Sequence, residues 1–513
     1  MLPFRILSLI LLLCVMAHGE LFSQAVNSSV VFQNRLSIPQ LLDPPTENGE
    51  KTFTLTLQKG ETELVPGKVA MTFGINGSYL GPTLRVRTGD RVRMRVTNTL
   101  GTETTIHWHG MELPAVMDGV YQIIQPNATW EPRWTIRNEA ATLWYHAHLM
   151  GHTGEQVYRG LAGMIIVDDS NSESLALPHR YGVDDIPVII QDKKIDANGQ
   201  LVYEHHSEPV AGPQGFLGNT ILVNGTFAPF VEVPRGWLRL RLLNASNGRR
   251  FNFGFDDNRP FYQIASGGGL LEAPVKETRL VVAPGSRAEI LVDMAQGSSV
   301  RLMSYSIRDI DHAGTPIARF LLSFLHADRD ENQEFKILEI RPTGEAEARE
   351  ALPEHLNTIP RPDVKRAIRS REFIMDRDSR INGRTMDPAV VNQIVVKDEP
   401  EIWQIVDASP NFHTFHVHDV QFLIVDRNGR PPEPNEQGWE DNLLLYPGDQ
   451  VRILVEFRYA TDPHRPYMFH CHILEHEDMG MMGQFVVIDR GAENQVSVDP
   501  AYIHEYIAHS DMQ

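Results

Sequence analysis

Residues 467 to 482 read YMFHCHILEHEDMGMM, a run dense in groups that can hold a metal. On an extended strand successive side chains point to opposite faces, so His470 and His472 would share one face and Cys471 the other. One strand can therefore serve two sites. Cys471, His476 and Met481 offer a thiolate, an imidazole and a weak thioether, the soft ligands of a blue copper centre that still lacks one imidazole. The stretch His413-Thr414-Phe415-His416-Val417-His418 supplies a spare histidine ahead of a His-x-His pair, and two further pairs stand at His107/His109 and His146/His148. Together these stretches hold ten of the 21 histidines. A single His-x-His is ordinarily two strand histidines, but four pairs, one enclosing the only cysteine beyond the N-terminal segment, point to metal. Zinc fits poorly, because a structural zinc site closes with four ligands and this set is larger and includes a thioether.

The elements that must position these ligands repeat along the chain. Ile75-Asn76-Gly77, Val223-Asn224-Gly225 and Ile381-Asn382-Gly383 each join a strand-like residue to a turn dipeptide, about 150 residues apart. Each is followed by a strand of alternating or apolar character, at 91–96, 237–242 and 401–406, and 284–293 echoes 447–456. Three copies of one β-sandwich domain are predicted. The expected boundaries are 26–170, 171–326 and 371–490, with 327–370, rich in charge and Pro, as a surface linker and 491–513 as a C-terminal tail.

Residues 1–25 read as a secretory signal, with Arg5 before an apolar run from Ile6 to Met16 too short to span a bilayer. No twin arginine precedes that run, and Cys14 lies where a lipoprotein signal would need a different neighbour. After cleavage Cys471 would be the sole cysteine, so no internal disulfide can form and stability must come from burial. A net charge of −19 argues against nucleic acid or an anionic membrane as partner.

In these four motifs and their order the chain resembles the multicopper oxidases, over nearly its whole length after the N-terminal segment. The resemblance implies three cupredoxin-like Greek-key domains and four copper ions. By it, His413, Cys471, His476 and axial Met481 would hold type 1 copper, and His107 with His416 the type 2 ion. His109, His146 and His472 would hold one type 3 ion, and His148, His418 and His470 the other. The shared cluster would then sit between the first and third domains, with the second expected to space and pack. Cys471, bonded through the chain to His470 and His472, would carry electrons to the cluster, where dioxygen becomes two waters. Asp118 and Glu477 match positions that serve as proton relays in similar bacterial oxidases. His152 is expected to support the structure, and Met479 and Met482 to pack around the type 1 site.

For the donor, the resemblance extends to bacterial laccases and cuprous oxidases. The latter often carry a Met-rich insertion, yet between 327 and 400 this chain has only Met375 and Met386. They also place Asp and Met just before the first type 1 histidine, where Ser409 and Asn411 stand here. Laccase-like oxidation of phenols or aromatic amines is therefore the leading expectation. Metal-ion or bilirubin oxidation, a low-turnover copper-binding protein and a cupredoxin-fold structural protein are the alternatives. The protein is expected to be an exported, periplasmic or extracellular monomer without a membrane anchor.

Overall fold

The computed structural model describes residues 30–203, 215–307, 332–346, 351–361 and 363–500. The expected signal segment lies outside these residues, as do parts of the expected linker and the tail from 501 onward. Strands account for 46% and helix for 7%, so the class is all-β, with three cupredoxin-like units.

Each unit has its own apolar core. The first draws mainly on residues from Phe53 to Val167, the second from Ile186 to Ile340 and the third from Phe373 to Val487. The sequence repeat reappears as a shared local device. Asn76, Asn224 and Asn382 all adopt positive φ, the left-handed region that asparagine tolerates. Each side chain then stitches a neighbouring strand twice: Asn76 accepts from Thr56 N (2.7 Å) and donates to Thr54 O (2.8 Å). Asn224 does the same with Ile189 N and Pro187 O, and Asn382 with Ile374 N and Glu372 O. Beside each turn a parallel pair recurs: Glu50–Val65 with Arg91–Asn98, Asp185–Lys193 with Trp237–Asn244, and Arg369–Met375 with Glu401–Asp407.

The expected linker is corrected in part. Phe335–Ala346 is a twelve-residue strand of the second unit, parallel to Pro229–Arg235 and antiparallel to Val300–Tyr305. Phe335, Ile337, Leu338 and Ile340 enter the second core, while Glu339 pairs outward with Arg301 and Arg341. Four apolar residues inside a long charged stretch suffice, because only one face of the strand is buried. At the other end, Asn34–Arg35 pairs with Pro229–Phe230, so residues expected in the first domain also join the second unit's sheet.

Candidate metal centre

His413–Val417 runs antiparallel to Tyr467–His470, with His416 opposite His470, and on its other side to Asn442–Leu445. Far upstream, His107 and His146 face each other across a backbone bridge, with reciprocal hydrogen bonds of 2.8 and 3.1 Å. Two pairs of neighbouring segments, remote in sequence, thus turn their histidines toward one buried space. The alternation expected around Cys471 is present: Cys471 lies in the third apolar core while His470 and His472 face the histidine cluster.

At the cysteine, Sγ stands 3.5 Å from His413 Nδ1 and 3.6 Å from His476 Nδ1. His476 is on the short helix Leu474–Asp478; Met481 follows, fully buried, its N–H donating to His476 O (2.8 Å) and its carbonyl accepting from Cys471 N (3.1 Å). Burial pushes the Cys471 thiol up to about 12, a thiol that would deprotonate on binding a cation.

In the larger cluster, His418 Nε2 and His148 Nε2 lie 3.1 and 3.3 Å from His470 Nε2, and His109 Nδ1 lies 3.2 Å from His472 Nε2. Nε2 of His107, His146 and His416 is buried without a hydrogen-bond partner. Burial first, and mutual repulsion among the rings second, depress His146, His148, His416 and His470 well below the ordinary histidine range, and His418 to about 4. They are neutral imidazoles with lone pairs turned inward. First-row metal–imidazole bonds of about 2.0 Å place neighbouring nitrogens roughly 3.3 Å apart around a tetrahedral ion, and bonds to sulfur of about 2.3 Å widen the spacing to roughly 3.5 Å. The observed spacings match both, and the soft donors at Cys471 match copper. The residues therefore fit copper ions.

Oxygens hold the outer ring nitrogens. His107 Nδ1 donates to the Asp118 carbonyl (2.9 Å), His146 Nδ1 to Ala147 O (2.8 Å), His416 Nδ1 to Asp441 O (2.7 Å) and His470 Nδ1 to Cys471 O (3.0 Å). The Asp118 carboxylate accepts from His418 Nδ1 at 2.8 Å and lies 3.2 Å from His107 Nδ1. Burial works against its ionisation, but these two imidazoles hold it below the usual carboxylate range. Glu477 lies 3.5 Å from His148 Nδ1 and 3.3 Å from His470 Nδ1, and burial, reinforced by Asp478, pushes it well above that range.

The acids flanking His476 are all buried. Glu475 accepts from Tyr203 OH, Phe216 N and Asn247 Nδ2. Asp478 accepts from Thr153 N and Gly154 N, the start of the helix Thr153–Arg159. The helix that carries His476 is thereby pinned to both other units. Met479, expected to pack at the type 1 site, is instead 46% exposed, because it closes the short helix on its outer side; Met482 packs with Val120, Tyr121 and Met468. His152 is exposed at the helix entry.

Sequence reasoning missed Asp441 and Arg287. Asp441 accepts from His109 Nε2 (3.0 Å) and pairs with Arg287, both side chains fully buried. It also missed the turn at Gly285, which lies against the His472 ring. Among the described residues the second unit adds no histidine to the cluster, but its side chains and backbone reach it.

A sandwich-borne Cys-His-His-Met group beside a basin of eight inward-turned histidines defines a copper protein of the cupredoxin class. The chain belongs to the multicopper oxidase family: models of multicopper oxidase domains match residues 56–172 and 358–491. It is 40% identical to the cell division protein FtsP of Escherichia coli over 461 residues, which cover 89% of this chain and 93% of that one. Among solved structures it is similar to the laccase-like multicopper oxidase CueO of Ochrobactrum sp., which has oxidase activity towards lignin model compounds and lignosulfonate. The TM-score is 0.79 at 32% identity, covering 88% of this chain and all of that one. A laccase from Pediococcus acidilactici matches with a TM-score of 0.78 at 34% identity, covering 90% and 94%.

Proposed function

We propose that the protein is a laccase-like oxidase holding four copper ions: type 1 at His413, Cys471, His476 and Met481, type 2 at His107 and His416, and the type 3 pair at His109, His146, His472 and at His148, His418, His470. The observation that carries this reading is that all of these residues are present and buried, with the imidazole and thiol donor atoms gathered into clusters close enough to share ions. Bound copper would supply one-electron chemistry, taking electrons from a phenol or similar small donor and passing them to dioxygen.

The chain's own residues do the rest. Cys471 is covalently continuous with His470 and His472, a short bonded path between the two centres. The Asp118 carboxylate, held ionised, keeps the His418 ring turned inward and the carbonyl of the same residue does so for His107, whereas burial favours the protonated form of the Glu477 carboxyl beside His148 and His470. Two carboxyls pushed in opposite directions by their surroundings divide the work into an orienting base and a proton donor. For the donor, a cleft of about 1240 Å³ between 279–288 and 424–449 is lined by Tyr446, which follows Leu445, the register partner of His413. Ser409 and Asn411 beside His413 hydrogen-bond each other and present neither carboxylate nor thioether. The lack of a carboxylate and a thioether at these two positions favours an organic donor over Cu(I).

Export to the periplasm or exterior as a monomer is part of this reading, supported by the N-terminal apolar run. Among the described residues no helix is long and apolar enough to cross a membrane. Oxygen uptake with a phenol and with Cu(I), side by side, tests the donor: faster uptake with Cu(I) would overturn the laccase-like reading. The identity to a cell division protein favours a second, separable role in division. A Cys471→Ser variant that restores division in a strain lacking the gene would assign that role to the fold rather than to oxidation.

A further inference from the structure

We infer that Arg287, on a strand of the second unit, sets the ring orientation of His109 and anchors the backbone that holds His416, acting through Asp441. The inference rests on the copper reading above.

Among the cluster histidines described, His107, His146, His416, His418 and His470 direct Nδ1 at an oxygen and leave Nε2 for the interior. His109 is reversed: Nε2 donates to the Asp441 carboxylate at 3.0 Å, and Nδ1 faces His472 Nε2 at 3.2 Å. A ring whose Nε2 carries the proton offers the Nδ1 lone pair, so the Asp441 contact selects the tautomer that can bind metal from this side. The same residue's carbonyl accepts from His416 Nδ1 at 2.7 Å. One residue therefore holds a ring from each end of the chain.

Asp441 is itself held. Arg287 spends every N–H it has: Nε on Thr142 O (3.0 Å), one terminal nitrogen on Gly285 O (3.2 Å) and Asp441 Oδ1 (2.7 Å), and the other on Gly267 O (2.6 Å) and Asp441 Oδ2. The guanidinium fork fixes the plane of the carboxylate, which a lysine cannot do. Thr142 is on the strand that ends at His146, so the same guanidinium ties all three units at the cluster. Gly110 makes room for the pair: with φ +84°, a Cβ there would lie 2.5 Å from Asp441 Oδ2 and 3.0 Å from Arg287.

As a positioning residue Arg287 touches no ligand ring, so the test reads the metal rather than turnover alone. Copper content, type 1 visible absorption and the type 2 paramagnetic resonance signal would be measured on full-length wild type, Arg287→Gln and the charge-neutral pair Arg287→Gln/Asp441→Asn. The pair is included because the single change leaves a buried lone carboxylate that could prevent folding. The result expected is an unchanged type 1 band with cluster copper bound about 10–100-fold more weakly and an altered type 2 signal. A folded pair variant with type 1 band, cluster copper and type 2 signal all like wild type would overturn the inference. Wild-type protein that takes up no copper would instead sink the oxidase reading on which it rests.

Discussion

Gly285→Ala is a one-carbon change with a calculable consequence. The residue has φ +79°, which costs a Cβ-bearing residue roughly 1–2 kcal/mol. The added Cβ would also stand 2.7 Å from three atoms of the His472 ring, whereas ordinary contact begins at 3.4 Å. The ring must therefore retreat by roughly 0.7 Å, against a tolerance of about 0.2 Å in metal–ligand distances. It has little room to do so, since His472 N is tethered to Thr414 Oγ1 at 2.8 Å and Trp144 lies on another side, ring centroids 5.5 Å apart. Gly49→Ala serves as the control: φ is +78° and nothing lies within 4 Å of its Cβ, so it carries the backbone strain alone. Gly49→Ala should lose only the small stability that the backbone strain accounts for, and Gly285→Ala more, by the cost of displacing a buried ring. Only Gly285→Ala should lose cluster copper and oxygen uptake, by about 10–100-fold. Equal copper content and uptake in the two variants would refute the placement of His472 at the metal.

Other perturbations reach different parts of the account. Cys471→Ser should abolish the intense visible band and reduce turnover to background while circular dichroism stays native; a blue, active variant would refute the type 1 assignment. Asp118→Ala frees Nδ1 of His418 and removes the carboxylate beside His107, whose own bond to the residue-118 carbonyl remains, so cluster copper should bind about 10–100-fold more weakly while the type 1 band persists, as titration with a copper chelator would read. Acid stability follows from Glu289, where burial opposes ionisation but Arg239 and Arg241 hold the carboxyl down to about 2. Its folded value lies below its unfolded one, so the stabilisation is present above pH 4.5 and is lost as pH falls toward 2, about 3 kcal/mol in all. Denaturant midpoints across that window should fall less steeply in Glu289→Gln than in wild type, and identical slopes would contradict the assignment.

The ligand-bearing stretches could be found in the sequence because strand alternation packs two imidazoles into three residues, and the three units because each keeps an Asn-Gly turn whose side chain stitches the same neighbour. What sequence could not supply was partnership across the chain. His109 and Asp441 are 332 positions apart and Arg287 and Asp441 are 154 apart, so no local period links them. Nothing in the local sequence marks the acids around His476 as buried, yet Glu475 and Asp478 are each satisfied by a different distant segment. The strand Phe335–Ala346 was hidden for the opposite reason, since its four buried residues are interleaved with as many charges that face outward.

The central claim is that electrons taken one at a time are delivered together to dioxygen. The most direct measurement is the ratio of phenolic donor oxidised to oxygen consumed by the copper-loaded protein, with peroxide assayed in the same vessel. The account predicts four donors per dioxygen and no peroxide; a ratio of two with accumulating peroxide, or full copper occupancy without uptake, would contradict it.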